Sequence, residues 1–391
     1  MKIKKLLFAA LMLVAAVSYG QNTPNVITTA VPFVSINPDS RGGSMGDCGV
    51  ATTPDVYSMH YNPAKYVFLE EKLAVGLGYS PWLRKLVSDM NLAYLTAAYK
   101  INDRSAVAMS LRYFSAGKID FRNEQNEPLP GGSPNEWALD ATYSRMLGDY
   151  LSGAVAARFI YSNLIQNAAD YAKPGISVAA DIGLYYKRPV EFKTVDADVM
   201  WGVSITNIGS KVNYNTSTVR RDFIPTTLRV GAGLNLELDE YNTLGFTFDL
   251  TKLLVPTHPV YYNDTMYGMD NDVAVVTGII HSFYDAPGVS INPNTNKLNH
   301  IGKFYEELCE INVGLGIEYW YNNIFAVRAG FFNEPNLKGG RRYVTVGAAL
   351  KYNVFGLDVS YLIPVGTVYG SNPLENTLRF NLTYMMGKKK S

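Results

Sequence analysis

The sequence predicts an all-β protein, a fourteen-stranded transmembrane β-barrel whose lumen is closed by an N-terminal plug. Three observations lead there. Segments of about ten residues alternate between apolar residues and polar or small ones, the period of a strand that faces two environments. The connections between them alternate short and long almost throughout, as in outer-membrane barrels with short periplasmic turns and long outer loops. A stretch rich in Gly, Pro, Asp and Asn that does not alternate, residues 21–71, precedes the first strand.

The chain opens on Lys2, Lys4 and Lys5, followed by the apolar "LLFAALMLVAAV" and the small residues "SYG" before Gln21. A basic start, a short apolar core and small residues at the cleavage position read as a secretory signal over residues 1–20. No cysteine follows the core, so a lipoprotein signal is not supported and the mature chain is expected to be exported. Beyond it, no apolar run reaches the roughly 18 residues that a transmembrane helix needs.

Residues 72–391 carry the alternation. In "TLRFNLTYMM", Leu378, Phe380, Leu382, Tyr384 and Met386 share one face, and Arg379, Asn381 and Thr383 the other. In "INVGLGIEY", Ile311, Val313, Leu315, Ile317 and Tyr319 oppose Asn312, Gly314, Gly316 and Glu318. The expected strands are 72–80, 91–101, 104–114, 136–147, 150–163, 176–187 and 197–207, then 226–238, 241–251, 311–321, 324–332, 342–352, 354–363 and 376–386. Most have the length a tilted strand needs to cross a bilayer.

Six connections are short, among them "ND" at 102–103, "GD" at 148–149, "NN" at 322–323 and Asn353; the least tidy is 188–196. Seven are long, including 115–135, 208–225, 252–310 and 364–375. That count places both barrel ends on the periplasmic side. A soluble β-sandwich would alternate too, but it has no need for alternating loop lengths, nor for charge opposite the apolar face of nearly every strand. The tail "TYMMGKKKS" departs from the aromatic terminus common among such barrels, with Tyr384 closing the pattern before a basic end.

Composition fits a membrane barrel. The chain holds 28 Tyr and 17 Phe with only 18% charged residues, and aromatic rings gather at membrane interfaces. A net charge of +1 gives no electrostatic case for nucleic acid. Two cysteines, Cys48 and Cys309, are compatible with a disulfide or with two free thiols. The inward face is expected to carry Arg112, Arg158, Arg229, Arg328 and Arg379 with Asp140, Asp181, Asp249, Asp358, Glu237 and Glu318. Such mixed charge can line a water channel or hold a plug, since buried charges must be paired.

One motif suggests chemistry. Gly42-Gly43-Ser44-Met45-Gly46 matches the G-x-S-x-G elbow of serine hydrolases. The elbow needs a strand before it and a helix after it, whereas "SINPDS" puts Pro38 and Asp39 where the strand belongs. The four histidines, His60, His258, His281 and His300, show no triad context. No catalytic residue, metal site or cofactor is expected.

The stretch "SINPDSRGGSMGDCGVATTPDVYSMHYNPAKYVF" resembles the N-terminal hatch of FadL-type outer-membrane proteins. The matching positions are Met45, Gly46, Gly49, Asp55, Asn62, Pro63 and Ala64, and the opening Asn37-Pro38-Asp39-Ser40-Arg41 is similar to that of the PorV branch of that superfamily. Physically, the glycines permit close packing against a barrel wall, Asn62-Pro63 fixes an extended-then-turn geometry, and Asp39 and Arg41 are candidates to pair with lumenal charges.

The PorV resemblance implies a non-enzymatic outer-membrane shuttle of the type IX secretion system of Bacteroidota. Such a protein receives secreted cargo by the cargo's C-terminal domain at a SprA/Sov-type translocon. It then delivers the cargo to a PorU-type sortase attachment complex, and outer-membrane lipid surrounds it. The wider FadL resemblance implies instead a channel for fatty acids or other hydrophobic small molecules, although an inward face of Gly, Ala, Ser and charge argues against a wide apolar tunnel. For the shuttle, the candidate partner-binding loop is 252–310, with Tyr261, Tyr262, Tyr267, Phe283 and Tyr284 beside Met266 and Met269, and with Val273–Ile280 as a short apolar helix; the equal alternative is that these residues pack the loop onto the barrel rim.

Overall fold

Fourteen antiparallel strands close into one barrel in the computed structural model, which describes residues 23–388 apart from 86, 88, 120, 121, 123–125, 128–130, 165–171, 193, 194, 217–220, 367–373 and 376. The expected signal at 1–20 lies outside the described residues. The wall strands are β1 (Glu71–Pro81), β2 (Asn91–Asn102), β3 (Ser105–Ser115), β4 (Asn135–Met146), β5 (Leu151–Asn163), β6 (Gly175–Phe192) and β7 (Val195–Gly209). The second half comprises β8 (Thr227–Glu237), β9 (Asn242–Leu253), β10 (Ile311–Tyr321), β11 (Phe325–Asn333), β12 (Arg342–Tyr352), β13 (Phe355–Pro364) and β14 (Leu378–Lys388). Each strand pairs with its neighbours in chain order, and β1 closes on β14 through Leu77 opposite Leu382. Closure leaves no unpaired edge, which hydrocarbon would not tolerate.

The alternation read in the sequence separates lipid from lumen. Outward residues such as Val155, Val178, Met109 and Leu382 are exposed, while Ser110, Asp140, Arg158 and Asn381 between them are buried inside. Outward aromatics cluster near the strand ends, where Trp137 stacks on Tyr161 toward the long loops and Tyr186 on Trp201 toward the short turns, an arrangement suited to the two membrane interfaces. Among the described residues no helix is long and apolar enough to cross a membrane; the strands do the crossing.

Two expectations need correction. The connection expected at 188–196 is the tip of a hairpin, since β6 runs to Phe192 and β7 starts at Val195. The pairing continues past the expected ends because Lys187 on β6 bridges Asp198 on β7 at 3.0 Å and Arg188 lies over the Tyr150 ring, contacts that favour projection beyond the bilayer. Glu237, expected in the lumen, is exposed at the short-turn end of β8. It keeps the inward register, but the plug does not reach it and water does.

Residues 23–70 run through the lumen from one mouth to the other. Thr23 and Asn25 donate backbone hydrogen bonds to Ile291 and Leu337, and Ala30 donates to Phe223, all in long connections. The chain therefore enters at the long-loop mouth, the exterior end of an outer-membrane barrel, and leaves at the opposite end into β1. Between them lie a 3-10 turn at Pro32–Ser35, helix α1 (Ser40–Ser44), and 3-10 turns at Ser58–His60 and Pro63–Phe68. One apolar cluster, around Phe33, Val34, Phe114 and Ile160, packs the outer half; another, around Met59, Tyr66, Val67 and Tyr94, packs the inner half.

Candidate functional site

The sequence motif singled out above is the part of the plug that touches the wall most closely. Asn37 accepts a hydrogen bond from the Asp39 backbone N–H at 2.9 Å and donates from Nδ2 to Asp47 at 2.7 Å. Its carbonyl accepts from Arg379 on β14 at 3.2 Å, while the Pro38 carbonyl lies against Gly78 of β1. Asp39 caps α1, accepting from the Arg41 and Gly42 amides at 2.8 Å each; it pairs with no lumenal arginine.

Arg41 does pair with the wall. Its guanidinium forks onto Glu318 of β10 at 2.9 and 2.6 Å, reaches Asp55 at 3.0 Å and donates to the Thr53 carbonyl at 2.9 Å. Glu318 is shared with Arg328 of β11 at 2.5 Å, which in turn holds Asp358 of β13 at 2.6 Å. Bidentate pairs of this kind are the strong form of the charge-assisted bond. They answer the question of lumenal charge, for the wall charges hold the plug and one another.

The other wall charges follow suit. Arg158 bridges Asp140 and Asp181, and Asp249 accepts from the Gly49 and Val50 amides at 2.7 and 3.0 Å. Arg112 donates to the carbonyls of Phe33, Val34 and Ile36 and approaches His60 Nδ1 at 3.0 Å. Arg229 meets Thr206 at 3.2 Å and lies over the Tyr61 ring.

Glycines on both partners allow the contact. Gly46 has φ +67°, and a Cβ there would lie 2.4 Å from the Phe331 carbonyl oxygen. Opposite it, a Cβ on Gly330 of β11 would meet the Gly46 nitrogen at 2.1 Å. Met45, wholly buried, covers Gly316. Asn62 caps the turn beginning at Pro63 by accepting from the Ala64 amide at 3.1 Å, and donates to the Leu184 carbonyl of β6 at 2.8 Å. Ser152 of β5 donates to the Ala64 carbonyl at 2.6 Å.

The elbow-like Ser44 is buried and donates to the Arg41 carbonyl at 2.7 Å. Cys48 and Cys309 are both free and buried. Three further anchors lie outside the individually matched positions, although Lys65 and Tyr66 close the "YNPAKY" stretch of the hatch. Lys65, 1% exposed, donates to the Gly49 carbonyl and Thr52 at 2.9 and 2.8 Å. Tyr57 donates to wall carbonyls at Leu77 and Leu382, and Tyr66 to Val56 at 2.9 Å. Only their position beside the glycine motif hinted at a packing role.

At the exterior mouth the connection between β9 and β10 carries two small hairpins, Val260–Tyr262 with Thr265–Tyr267 and Val289–Ile291 with Leu298–His300, and helices α2 (Val275–His281) and α3 (Lys303–Leu308). The short apolar helix expected at Val273–Ile280 is thus α2. Tyr261, Phe283, Tyr284 and Met266 are exposed, whereas Tyr262, Tyr267 and Met269 are half-buried. Helix α3 is not among the expected elements, because charge interrupts its apolar residues; its Phe304 is 77% exposed beside exposed Tyr305 and Leu308. Beneath this loop a cavity of about 320 Å³ opens between the entering chain and Tyr214, Phe223, Pro256 and His258. Val31, which lines it, has φ 47°, an outlier for a β-branched residue.

Comparison with known proteins gives one family. A family model described as type IX secretion system protein PorV matches residues 19–260. No curated protein matches the chain. Among solved structures it is similar to a TodX deltaS2S3 mutant monoaromatic hydrocarbon channel, at 11% identity and TM-score 0.48 over 89% of this chain and 98% of that one. It is also similar to the Ralstonia pickettii toluene transporter TbuX, at 8% identity and TM-score 0.46 over 90% and 98%. A Pseudomonas aeruginosa FadL homologue resembles it at 11% identity and TM-score 0.40 over 93% and 100%.

Proposed function

Because the chain belongs to the PorV family of type IX secretion system proteins, we propose that it is a protein carrier of the outer membrane rather than an enzyme. On this reading, secreted cargo reaches it at a SprA/Sov-type translocon and is held by the cargo's C-terminal signal domain. The chain then passes the cargo to a PorU-type sortase complex at the surface. The cell is of the Bacteroidota type, and residues 1–20 are the export signal.

The observation that carries the reading, beside family membership, is the division of labour in the structure. The lumen is threaded by a plug bonded to the wall, and the long connection between β9 and β10 carries exposed apolar side chains. Tyr261, Phe283, Tyr284, Phe304 and Tyr305 are of the types that dominate protein interfaces. A carrier needs such a surface and no open passage.

The test is removal of residues 260–305 with the wall and plug retained, in cells that make the protein from its own locus. The carrier reading expects normal barrel assembly and loss of surface-attached cargo, with cargo accumulating in the periplasm. Unimpaired surface attachment would move the binding surface elsewhere. Affinity purification from the native membrane in mild detergent separates the carrier from the channel reading. Cargo sharing one C-terminal domain, with a translocon or sortase, supports the first; stoichiometric fatty acid without protein partners supports the second.

A further inference from the structure

The connection between β9 and β10 buries more negative charge than it balances. Asp285, Glu306 and Glu310 are at most 4% exposed, and the Glu307 side chain is 13% exposed. Among the described residues two ammonium groups pair with them: Lys252 contacts Glu307 and Glu310, and Lys338 contacts Glu306 and Glu310 at 2.8 and 2.9 Å. Four carboxylates against two lysines leave two negative charges over. Moreover, the Asp285 Oδ1 oxygen is buried with no hydrogen-bond partner, a state that costs free energy unless something neutralises or coordinates it.

We propose that Asp285, Glu307 and Glu310 bind one divalent cation of the calcium class, which staples the outer loop to the rim of the barrel. One oxygen from each lies within 4.8 Å of the other two, a separation that fits oxygens sharing an ion at roughly 2.4 Å. The donors are all hard oxygens, which suit calcium or magnesium rather than zinc or copper. Lys252 and Lys338 hold oxygens of Glu307 and Glu310, leaving Asp285 Oδ1 as the buried oxygen without a partner, and further donors fix all three carboxylates. The Thr257 amide donates to Asp285 Oδ2 at 3.1 Å, the Ala286 amide to Glu307 Oε1 at 2.9 Å, and the Thr257 hydroxyl to Glu310 Oε1 at 2.7 Å. Such outer contacts preorganise ligands. The excess charge equals that of one divalent ion, and the site lies at the exterior mouth, where calcium is plentiful and weak sites suffice. Asp285 follows α2, and Glu307 lies on α3. An ion here would join the two segments that present the exposed aromatics.

Calorimetric titration of calcium chloride into the full-length mature protein, purified in detergent and stripped with chelator, tests this. Expected are saturable binding of one ion at sub-millimolar affinity and slower proteolysis within residues 254–310 in calcium than in chelator. Asp285→Asn should weaken binding at least about tenfold while its barrel still shows heat-modifiable mobility. No binding heat up to about 10 mM calcium, far above the affinity of extracellular sites, together with equal proteolysis in calcium and chelator, would overturn the proposal. So would loop protection that follows acidic pH alone and gains nothing from calcium, since protons would then carry the excess charge. Unaltered binding by Asp285→Asn would also overturn it.

Discussion

Replacing Arg41 by Met should loosen the plug without opening the wall. The native guanidinium makes two bonds to Glu318, one to Asp55 and contacts to Thr53. Deleting one partner of a buried ion pair costs about 3–5 kcal/mol, chiefly because a charge is left uncompensated. Here Glu318 keeps Arg328 at 2.5 Å and Asp55 keeps its hydrogen bonds from the Tyr57 amide and the Ser58 hydroxyl at 2.9 and 3.2 Å. The lower limit, about 3 kcal/mol, is therefore the appropriate figure. At 1.36 kcal/mol per decade this raises the undocked population on the order of a hundredfold.

Cys48 supplies the assay. It is wholly buried between plug and wall, facing Gly314 and the Gly46 carbonyl, so its thiol reacts only when the plug moves. With Cys309→Ser as background, maleimide labelling of Cys48 should accelerate by that hundredfold factor in Arg41→Met, provided opening is fast relative to labelling. Arg41→Lys should rescue little, because an ammonium cannot reproduce the forked contact. Labelling within about twofold of the parent rate, the scatter expected of uncoupled sites, would refute the assignment of Arg41 as the main electrostatic latch.

Other perturbations report on separate contacts. Gly330→Val places a side chain where even Cβ would sit 2.1 Å from the Gly46 nitrogen; the barrel should still form, with Arg41 and Lys65 becoming trypsin-sensitive in the plug. Asp39→Ala removes the cap of α1, which accepts from the Arg41 and Gly42 amides at 2.8 Å each; loss of an N-cap costs about 1 kcal/mol, so Cys48 labelling should quicken on the order of fivefold, and Asp39→Asn should restore most of the parent rate.

The wall was legible because each strand faces lipid and lumen, and that contrast writes itself into every second residue. Expected and observed strand limits differ mainly at β6 and β7, where pairing continues into water and the lipid contrast no longer marks the end. The contacts of the plug were only partly legible. Arg41, Asp55 and the glycines sit in a recognisable motif, but nothing local says that Arg41 meets Glu318, 277 residues away. One signal went unread: glycines at inward positions, such as Gly202, Gly231, Gly314, Gly316, Gly330 and Gly347, all mark places where the plug presses on the wall. In the sequence they argued only against an apolar tunnel. The direction of the plug, entering from the exterior mouth, depends on single hydrogen bonds to distant loops and leaves no periodic trace.

A covalent lock on the plug separates the two functional readings by their physics. An ideal Cβ on Gly314 of β10 lies 2.7 Å from the Cys48 sulfur, close to the reach of a disulfide, and 2.7 Å from the Gly46 carbonyl oxygen, so the plug backbone must shift there to admit it; Gly314→Ala is the control for that shift. Gly314→Cys, oxidised against the native Cys48, should tie the plug to the wall, and reduction should release it. A channel through a lumen occupied from Thr23 to Glu70 must displace that plug, so oxidation should abolish uptake and reductant restore it. A carrier that works through its outer loops has no such requirement, and its delivery of cargo should be equal in both redox states. Delivery that fails on oxidation and recovers on reduction would mean that cargo binding moves the plug, and the carrier reading would then need a lumenal step that the loops alone do not provide.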